Sequence, residues 1–570
     1  MENIRKSLKE AIAAAYGEDF APEFSPAPAN VAADYSSNAP LKLAKVLHLP
    51  PLQIAEELKV HLIKNGFSPA EISVTPPGFL NFISPSEYLS DKISGYAANL
   101  AENISSDEYS GQTIICEFSD PNPFKVLHVG HLYTSVVGDA ISRLFEASGA
   151  RVIRANFGGD VGLHVAKTMY ILQQKDISDL KIEDIARCYI EGTAAYDEDE
   201  LAKTKITELN KEIYKINAED IHGTPLSDLY WHGRELSYAY FKDFYAKIGV
   251  KFDKFYPESS VAALGLEKVQ EQLSRGVYEK SNGAVVFDGE KFGLHTRVFI
   301  NQEGVPTYEA KDVGLIFTKW EDYHFDKSVV ITGSEQLEYM KVVLKSVEQY
   351  APDLVEKTTH LTHGLVKLPG NIKMSSRKGN FLKAVDVLQV VADALHAEYP
   401  EADPAIALAA TKYAFLRYKM GGDIIFNPHE SVKMTGNSGP YLLYSAVRAK
   451  KILSGKGEKV GKTTGAPLSQ VSATSAGQSR HSILLNPSER ALILKTLQYQ
   501  DILAEATREL APHKLANYLY ELAQEFSRFY EKCQVAGSAK ETERRIYVQA
   551  YLNVMTHGLG LLGIDTPEEM

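Results

Sequence analysis

Apolar and polar positions in the first hundred residues alternate between helix and strand periods. Residues 1–20 have an amphipathic helical pattern, 21–32 form a Pro- and Ala-rich loop, and Leu52–Asn65 is a second predicted helix. From Ile72 to Ile83, alternating apolar residues on either side of a Pro-Pro-Gly turn predict two joined strands. We therefore expect a small α+β accessory domain over residues 1–108.

From about residue 109 the pattern changes to strands that alternate with helices. Gln112–Phe118 and Arg151–Phe157 are predicted strands on either side of a helix over Val129–Ser148, and apolar runs at Val285–Phe287 and Val329–Thr332 predict more strands. This alternation is typical of βαβ units in a doubly wound parallel sheet, which binds ligands at the carboxyl ends of its strands. The predicted fold class is α/β, with a Rossmann-like catalytic domain over residues 109–380.

The remaining segments have mostly helical periodicity. A polar helical stretch, Tyr196–Glu219, predicts an insertion near residues 185–280, and the chain after about residue 381 is predicted to be helical. We divide that part into a connective region over 381–435 and an all-α domain over 436–570. A Gly/Ser/Thr-rich interval over Ser454–Ser479 has a cluster of lysines at its start. This composition favours a solvated loop, and an RNA contact remains the alternative.

Composition narrows the class of protein. The 570 residues carry 61 basic and 73 acidic side chains, and the net charge of −12 argues against a nonspecific nucleic-acid coat protein. Three separated cysteines without a CxxC pair predict neither a disulfide framework nor a cysteine zinc site. No apolar stretch reaches transmembrane length, and the acidic residues near the N-terminus are unlike a signal or transit peptide. We expect a soluble cytoplasmic protein without membrane contact.

One segment delivers two histidines from a strand to a helix N-terminus: Glu117-Phe-Ser-Asp-Pro-Asn-Pro-Phe-Lys-Val-Leu-His128-Val-Gly-His131. Helix N-termini attract anions, histidines three residues apart share a face, and Gly130 leaves room for a flat ring. A second segment, Lys373-Met-Ser-Ser-Arg377-Lys378-Gly379, could clamp a triphosphate and stabilise departing pyrophosphate. Considered alone, the first segment fits helix-capping or core histidines equally well, and the second fits an exposed basic turn.

Acidic and aromatic residues indicate a cationic ligand. Glu117 is a carboxylate at the end of an apolar strand, and Tyr308 and Asp312 are four residues apart on one predicted helical face. Two carboxylates, a tyrosine and the amide of Asn122 suit a guanidinium, whose rigid fork has five donors. A strand end and a surface helix explain Glu117 and Asp312 equally simply when each is taken alone.

Together and in this order, the two segments resemble the HIGH and KMSKS signatures of class I aminoacyl-tRNA synthetases, and nearly the whole chain resembles the arginyl-tRNA synthetase family. Further matching stretches are Gly138-Asp139, Gly158-Gly-Asp160, Tyr308 to Asp312, Thr332-Gly-Ser-Glu-Gln336 and Gly436-Asn-Ser-Gly-Pro-Tyr441-Leu-Leu-Tyr444. The resemblance implies an arginine–tRNA ligase that converts ATP, L-arginine and tRNA(Arg) to arginyl-tRNA, AMP and diphosphate. It further implies an arginyl-adenylate and activation of arginine only after tRNA binds.

The resemblance also implies roles for individual residues. The expected catalytic residues are His128, His131, Lys373 and Lys125, and the expected ATP-binding residues are Asn122, His128, Gly130, His131, Lys373, Met374, Ser375, Ser376 and Arg377. The expected arginine-binding residues are Glu117, Asn122, Tyr308, Asp312 and Gln336, and those expected near anticodon bases are Tyr441, Tyr444, Tyr518 and Met570. The accessory domain is expected to meet the tRNA elbow, and residues 436–570 to bind the anticodon. We expect Mg²⁺ with ATP, no zinc or other metal site, and a monomer.

The chain departs from the family pattern at two places. Ser376 stands where the second lysine of the KMSKS-like loop is usual, and Lys125, just before His128, is our hypothetical substitute for that charge. Gly159-Asp160-Val-Gly-Leu-His164 replaces the more usual Gly-Asp-Trp-Gly-Thr-Gln, and we assign no chemistry to His164.

Two other functions remain open at this point. The first is a class I synthetase for lysine, whose ammonium is a point charge that needs only one acceptor. The combination of Glu117, Tyr308 and Asp312 offers several acceptors and therefore favours a guanidinium over an ammonium. A catalytically inactive relative that binds tRNA for regulation would not need both nucleotide segments.

Overall fold

The computed structural model describes residues 2–28, 30–175, 179–367, 369, 383–455 and 484–570. The chain forms two compact units. The smaller unit comprises Met1–Leu100, Ser454–Gln498 and Glu525–Tyr551, and the larger comprises Ala101–Leu453, Tyr499–Gln524 and Leu552–Met570.

The described residues contain strands and helices in the following order along the chain. The strands are β1 (Ser25–Pro26), β2 (Tyr35–Ser37), β3 (Ile72–Thr75), β4 (Phe79–Phe82), β5 (Thr113–Glu117), β6 (Arg151–Gly158), β7 (Lys254–Pro257), β8 (Glu279–Ser281), β9 (Ala284–Phe287), β10 (Arg297–Ile300), β11 (Lys327–Gly333), β12 (Thr358–His363), β13 (Val366–Lys367) and β14 (Ile424–Ile425).

The helices are α1 (Glu2–Tyr16), α2 (Ala39–Leu47), α3 (Pro51–Lys64), α4 (Ser86–Ala98), α5 (Leu100–Ile104), α6 (Val129–Ala147), α7 (Leu163–Leu172), α8 (Ile182–Glu198), α9 (Glu200–Ala218), α10 (Pro225–Ile248), α11 (Glu258–Ser274), α12 (Tyr308–Tyr323), α13 (Leu337–Glu348), α14 (Pro352–Glu356), α15 (Ala384–Glu398), α16 (Ala405–Leu416), α17 (Pro428–Ser431), α18 (Gly439–Leu453), α19 (Pro487–Leu497), α20 (Tyr499–Arg508), α21 (Pro512–Lys532) and α22 (Glu541–Leu561). Short 3₁₀ turns occur at Pro69–Glu71, Gly289–Phe292 and Ser334–Gln336.

The smaller unit contains a four-stranded antiparallel sheet in the order β1-β2-β4-β3. The two strands predicted around the Pro-Pro-Gly turn are confirmed as β3 and β4. Gly78 in that turn has φ +149°, and a Cβ there would lie 2.7 Å from the Pro51 side chain, so only glycine fits the approach of α3. The predicted loop over 21–32 is wrong at Ser25–Pro26, because those residues pair with β2. Apolar residues of α1 and α3, including Leu8 and Leu58, pack against the sheet.

The larger unit contains a five-stranded parallel sheet in the order β12-β11-β5-β6-β7. This confirms the predicted α/β class, the strands at β5 and β6, and the helix at α6. The run Val329–Thr332 lies in β11 of this sheet, but Val285–Phe287 lies in β9 of a separate antiparallel sheet, β10-β9-β8. Asn282 and Gly283 have φ of 48° and 80° between β8 and β9. An Asn-Gly pair at positive φ favours a tight hairpin, which explains the antiparallel pairing.

Helices α7 to α10 occupy the chain between β6 and β7. The predicted polar helix Tyr196–Glu219 is divided at Asp199, whose side chain accepts the N–H groups of Leu201 and Ala202 at 2.8 and 3.3 Å and so caps α9. Among the described residues, no helix is both long enough and apolar enough to cross a membrane.

Candidate active site

A cleft of about 610 Å³ opens at the carboxyl ends of the parallel strands, where a doubly wound sheet binds its ligands. Its lining includes the ends of β5, β6 and β11 and the first turn of α6. The cleft brings together eight residues that the sequence placed in one site: Glu117, Asn122, His128, Gly130, His131, Tyr308, Asp312 and Gln336.

The two histidines form the N-terminal cap of α6. Nδ1 of His128 accepts the N–H of Gly130 at 3.1 Å, and Nδ1 of His131 accepts the N–H of His128 at 3.1 Å. The rings stack, with centroids 3.8 Å apart and planes inclined by 24°. The histidines therefore cap the helix, which is one of the two interpretations that the sequence allowed. The same hydrogen bonds hold both rings in the lining of the cleft.

The hydrogen bonds of these rings fix where their protons lie. Each Nδ1 is an acceptor, so a neutral ring carries its proton on Nε2, which can donate to a ligand. The pKa of His128 is lowered to about 4, chiefly by burial and in smaller part by the charge of Lys125. Burial, with the neighbouring His128 and Lys125, also places the pKa of His131 well below its usual value. Both rings are thus neutral hydrogen-bond donors at neutral pH.

Gly130 is required by the ring of His128. A Cβ at this position would lie 2.8 Å from Cε1 and 2.9 Å from Nδ1 of that ring. Real Cβ atoms are not found at such distances, so a larger residue would displace the imidazole that the helix cap holds.

The turn between β5 and α6 is held by the end of β6. Ser119, Asp120 and Phe124 all have positive φ, of 75°, 48° and 63°, a conformation that is uncommon outside glycine. The side chain of Asp120 accepts the N–H of Phe157 at 2.8 Å, and Oδ1 of Asn122 accepts the N–H of Gly159 at 2.8 Å. These two hydrogen bonds, from the N–H groups of Phe157 and Gly159, hold the turn in its positive-φ conformation.

The segment that departs from the family pattern has a structural role in the larger unit. Asp160 is fully buried and accepts hydrogen bonds from Arg234 Nε at 3.0 Å and from Ser259 Oγ at 2.7 Å. His164 Nε2 lies 2.7 Å from the carbonyl oxygen of Gly159. His164 therefore anchors the peptide that holds Asn122, and this contact explains its burial without a chemical step.

Two of the cleft carboxylates have buried lysine partners. Glu117 Oε2 lies 2.7 Å from Lys319 Nζ, and Glu258 Oε2 lies 2.7 Å from Lys311 Nζ, with all four side chains at most 7% exposed. Lys311 also donates to Tyr214 at 2.8 Å. Since each ion pair is removed from water, loss of one partner would leave an uncompensated buried charge.

Asp312 is buried on α12 without a cationic partner among the described residues. It accepts a short hydrogen bond from the hydroxyl of Tyr339. The pKa of Asp312 is raised to about 8, chiefly by burial; the Tyr339 hydroxyl opposes the shift, and the charges of Glu117 and Glu258 contribute to it. The cleft therefore has a carboxyl group that becomes a stable anion when a cation binds beside it.

Tyr308 and Gln336 lie toward the open side of the same cleft. Tyr308 is 53% exposed and begins α12, one turn before Asp312, as the sequence predicted. Six residues that line the cleft or pair with its acids were not predicted from the sequence: Asp120, Glu258, Lys311, Lys319, Tyr339 and Arg297. Lys311 and Lys319 are buried on α12 among apolar residues, where an unpaired charge is costly, so a charge in an apolar stretch was the signal that could have found them.

Lys125 lies beside the histidines in a small adjoining cavity of about 90 Å³, which Asn122, His128, His131 and Tyr189 also line. Its ammonium group is 4.7 Å from the centre of the Tyr189 ring, a cation–π distance. Lys125 is therefore close enough to the histidines to lower the pKa of both.

The KMSKS-like segment, with Lys373, Met374, Ser375, Ser376 and Arg377, lies outside the described residues. Among the described residues on either side of it, Lys367 belongs to the cleft lining and Lys383 forms a β-bridge with His128.

The predicted tRNA-binding residues lie in the C-terminal part of the larger unit. Tyr444 is 44% exposed on α18, with the guanidinium of Arg448 5.6 Å from its ring centre. Tyr441 packs edge-on against Tyr520 at 5.7 Å. Tyr518 is only 2% exposed and stacks on Tyr499, so it would meet a base only by leaving this packing, and its role stays a prediction. Met570 is the partly exposed last residue of the chain.

No group of three or more His, Cys, Asp or Glu side chains in the described part of the chain could hold a metal ion. The three cysteines, 116, 188 and 533, are buried as free thiols.

Three family models match separate parts of the chain. Residues 98–417 match the catalytic domain of "tRNA synthetases class I (R)", and residues 442–570 match the "DALR anticodon binding domain". Residues 2–83 match the "Arginyl tRNA synthetase N terminal domain".

Relatives and solved structures agree with these matches. A protein named arginine–tRNA ligase from Bacteroides fragilis is 27% identical over 559 residues, which cover 91% of each chain. A protein of the same name from Borrelia garinii is 28% identical over 555 residues, 92% of this chain and 90% of the relative. The arginyl-tRNA synthetase of Thermus thermophilus has a TM-score of 0.80 at 24% identity over the full length of both chains. That of Plasmodium falciparum has a TM-score of 0.76 at 19% identity, covering 100% of this chain and 99% of its own. The likeness confirms the predicted fold class.

Proposed function

Since the chain belongs to the class I (R) tRNA synthetase family, we propose that this cleft activates L-arginine with ATP and transfers it to tRNA(Arg). The protein is an arginine–tRNA ligase: ATP, L-arginine and tRNA(Arg) give arginyl-tRNA, AMP and diphosphate through an arginyl-adenylate, for protein synthesis. One observation carries the assignment of the site. Two neutral histidines at a helix N-terminus and a set of buried carboxylates line the same cleft.

The histidine end of the cleft is assigned to ATP. The first turn of α6 supplies backbone N–H groups and the positive end of the helix dipole, both of which favour a phosphate. The Nε2–H groups of His128 and His131 donate to the charge that grows on the α-phosphate during in-line attack by the amino-acid carboxylate. Because both rings are neutral before ATP arrives, they need not lose a proton to take this role.

Positive charge at the leaving group is assigned to two sources. Lys373 and Arg377 would supply positive charge to the departing pyrophosphate. ATP would bind as its Mg²⁺ complex. Lys125 supplies a further positive charge from the small cavity beside His128. This charge replaces the lysine that is absent at position 376.

The other end of the cleft is assigned to arginine. Asp312 and Glu117 face the guanidinium, with Tyr308 and Gln336 toward the opening. A planar guanidinium has five donors for such acceptors, whereas a lysine ammonium is a compact point charge. Asn122 lines both the cleft and the small cavity that Lys125 shares with the histidines.

Anticodon recognition is assigned to the helical C-terminal region that matches the DALR domain. The exposed ring of Tyr444, with Tyr441 one turn before it, offers aromatic surface on which an unpaired base can stack. We assign the protein to the cytoplasm and infer that it is a monomer. Its sedimentation coefficient would test the monomeric state.

Aminoacylation with labelled arginine and total tRNA tests the proposed function directly. The wild-type protein should form acid-precipitable arginyl-tRNA and no lysyl-tRNA. His131→Ala should abolish the product while leaving tRNA binding intact, because the imidazole is assigned to ATP and not to tRNA. Lysyl-tRNA without arginyl-tRNA would identify a lysine enzyme, and unchanged arginylation by His131→Ala would remove the histidine from the mechanism.

The role of Lys125 has its own test in ATP–pyrophosphate exchange with tRNA present. Lys125→Ala should lower the rate at least tenfold, and Lys125→Arg should restore most of it because charge is the property in question. Lys167→Ala is a matched control, since Lys167 lies 4.3 Å from the ring of Tyr196 but outside the cleft lining. Unchanged exchange in Lys125→Ala would end the hypothesis.

A further inference from the structure

An ion pair joins the accessory domain to the C-terminal helices within the smaller unit. Nε and Nη2 of Arg490, near the start of α19, donate to Oδ1 and Oδ2 of Asp34 at 2.8 and 2.5 Å. The side chain of Asp34 is 3% exposed and that of Arg490 is 22% exposed. The two residues are 456 positions apart, and each lies in a segment that a different family model matches. The smaller unit therefore unites parts of two separately matched domains.

The guanidinium of Arg490 also contacts the backbone of the accessory domain. Its Nη2 donates to the carbonyl oxygen of Ser84 at 2.6 Å, and the N–H of Ser84 donates to Oδ2 of Asp34 at 2.6 Å. Asp34 directly precedes β2 and Ser84 closely follows β4, and these two strands pair with each other. Helix α4, which begins just after Ser84, packs against α19. Arg490 thus grips the accessory domain where two paired strands end.

The residue before Arg490 attaches α19 to a second element. Glu489 is fully buried, and its carboxylate accepts hydrogen bonds from Arg544 Nε at 2.8 Å and from Lys540 Nζ at 3.3 Å. Arg544 lies in α22, and Lys540 directly precedes that helix. Consecutive side chains of α19 therefore bind the accessory domain on one side and α22 on the other.

A bidentate ion pair at this junction does more for orientation than for stability. An ion pair that is removed from water contributes little net free energy compared with an apolar contact of the same size. The planar fork of a guanidinium on a carboxylate, however, requires one separation and one relative orientation. Such a contact suits two modules that must hold a fixed geometry toward a common partner.

We propose that the Asp34–Arg490 pair fixes the accessory domain relative to α19 so that both modules bind one tRNA at the same time. This inference rests on the proposed function, in which the accessory domain meets the tRNA elbow and the helical region meets the anticodon. When both modules belong to one rigid body, the second contact forms without further ordering of the protein and at a high effective concentration. Asp34 and Arg490 are positioning residues, and neither has to touch the RNA.

The double variant Asp34→Asn/Arg490→Gln tests the proposal. Two amides retain hydrogen-bonding groups and leave no unpaired charge in the junction, so the fold should persist, which thermal unfolding checks. Filter binding gives the Kd for intact tRNA(Arg) and for its isolated anticodon stem-loop. We expect the variant to bind the intact tRNA about tenfold to a hundredfold more weakly and the stem-loop as the wild type does. The kcat of aminoacylation at saturating tRNA should not change, because neither residue lines the cleft.

Two single variants complete the test. Arg490→Lys keeps the charge but lacks the fork, so it should weaken binding of the intact tRNA by an intermediate factor. Arg528→Gln is the matched control, because Arg528 belongs to the same unit and pairs with Glu525 within α21, and it should bind both RNAs as the wild type does.

Three results would overturn the proposal. They are equal weakening for both RNAs, unchanged affinity for intact tRNA(Arg), and a lower kcat with an unchanged Kd. Failure of the proposed function would look different, because the wild-type protein would then form no arginyl-tRNA.

Discussion

Asp312 makes the affinity of the guanidinium site depend on pH, and the dependence can be calculated. With a pKa of about 8, the carboxyl group is mostly protonated at pH 6 and half ionised at pH 8. If only the ionised form binds a guanidinium, the apparent Kd exceeds the intrinsic Kd by about a hundredfold at pH 6 and about twofold at pH 8. Affinity should therefore rise about fiftyfold over this range, or about 2.3 kcal/mol.

His128 does not produce the same titration, because its pKa of about 4 leaves it neutral throughout the range, and the guanidinium stays charged. 5-Guanidinopentanoate, which is L-arginine without its α-amino group, is the ligand of choice, because the guanidinium is its only cationic group. Its Kd should be measured calorimetrically at pH 6, 7 and 8.

Two variants identify the titrating group. Asp312→Asn cannot ionise and should bind weakly at every pH. Tyr339→Phe removes a hydroxyl that lowers the Asp312 pKa, so the titration should move to higher pH and binding at pH 8 should weaken. A Kd for the wild type that is the same at pH 6 and pH 8 would refute the reasoning.

Three further substitutions test other parts of the structure. Lys319→Met leaves Glu117 buried without its cation, so the free energy of unfolding, measured by urea titration, should fall by about 3–5 kcal/mol. A loss below about 1 kcal/mol would show that the pair is not buried in solution. Gly130→Ala should raise the KM for ATP and lower kcat at least tenfold in pyrophosphate exchange, because its Cβ displaces the His128 ring; normal kinetics would contradict this geometry. Tyr444→Ala should raise the KM for tRNA severalfold without changing the KM for ATP, and equal effects on both would exclude an anticodon contact.

Local sequence patterns were enough to group the two histidines and Gly130, which all line the cleft. His128, Gly130 and His131 are within four residues of one another, and the strand before them and the helix after them have distinct periods. The fold therefore only had to place a short turn at a sheet edge. The antiparallel position of β9 was missed because its apolar run is equally typical of both kinds of sheet, although Asn282-Gly283 marked a hairpin.

The ion pairs of the cleft acids could not be predicted from the sequence. Glu117 and Lys319 are 202 positions apart, and only the packing of the parallel sheet against α12 brings them within 2.7 Å. Asp120 lies in the segment that carries the two histidines, but its positive φ and its hydrogen bond to Phe157 depend on the tertiary structure. The sequence pointed to Glu117 and Asp312, and only the structure shows that Glu117 pairs with Lys319 while Asp312 has no cationic partner among the described residues.

Amino-acid-dependent ATP–pyrophosphate exchange, with tRNA present, tests the central claim most directly. Each of the twenty amino acids is supplied separately to the wild-type protein and to Asp312→Asn. We predict that the wild-type protein shows exchange with L-arginine and little exchange with L-lysine, and that Asp312→Asn loses the exchange with L-arginine. Exchange with lysine but not arginine, or an arginine signal that survives in Asp312→Asn, would contradict it.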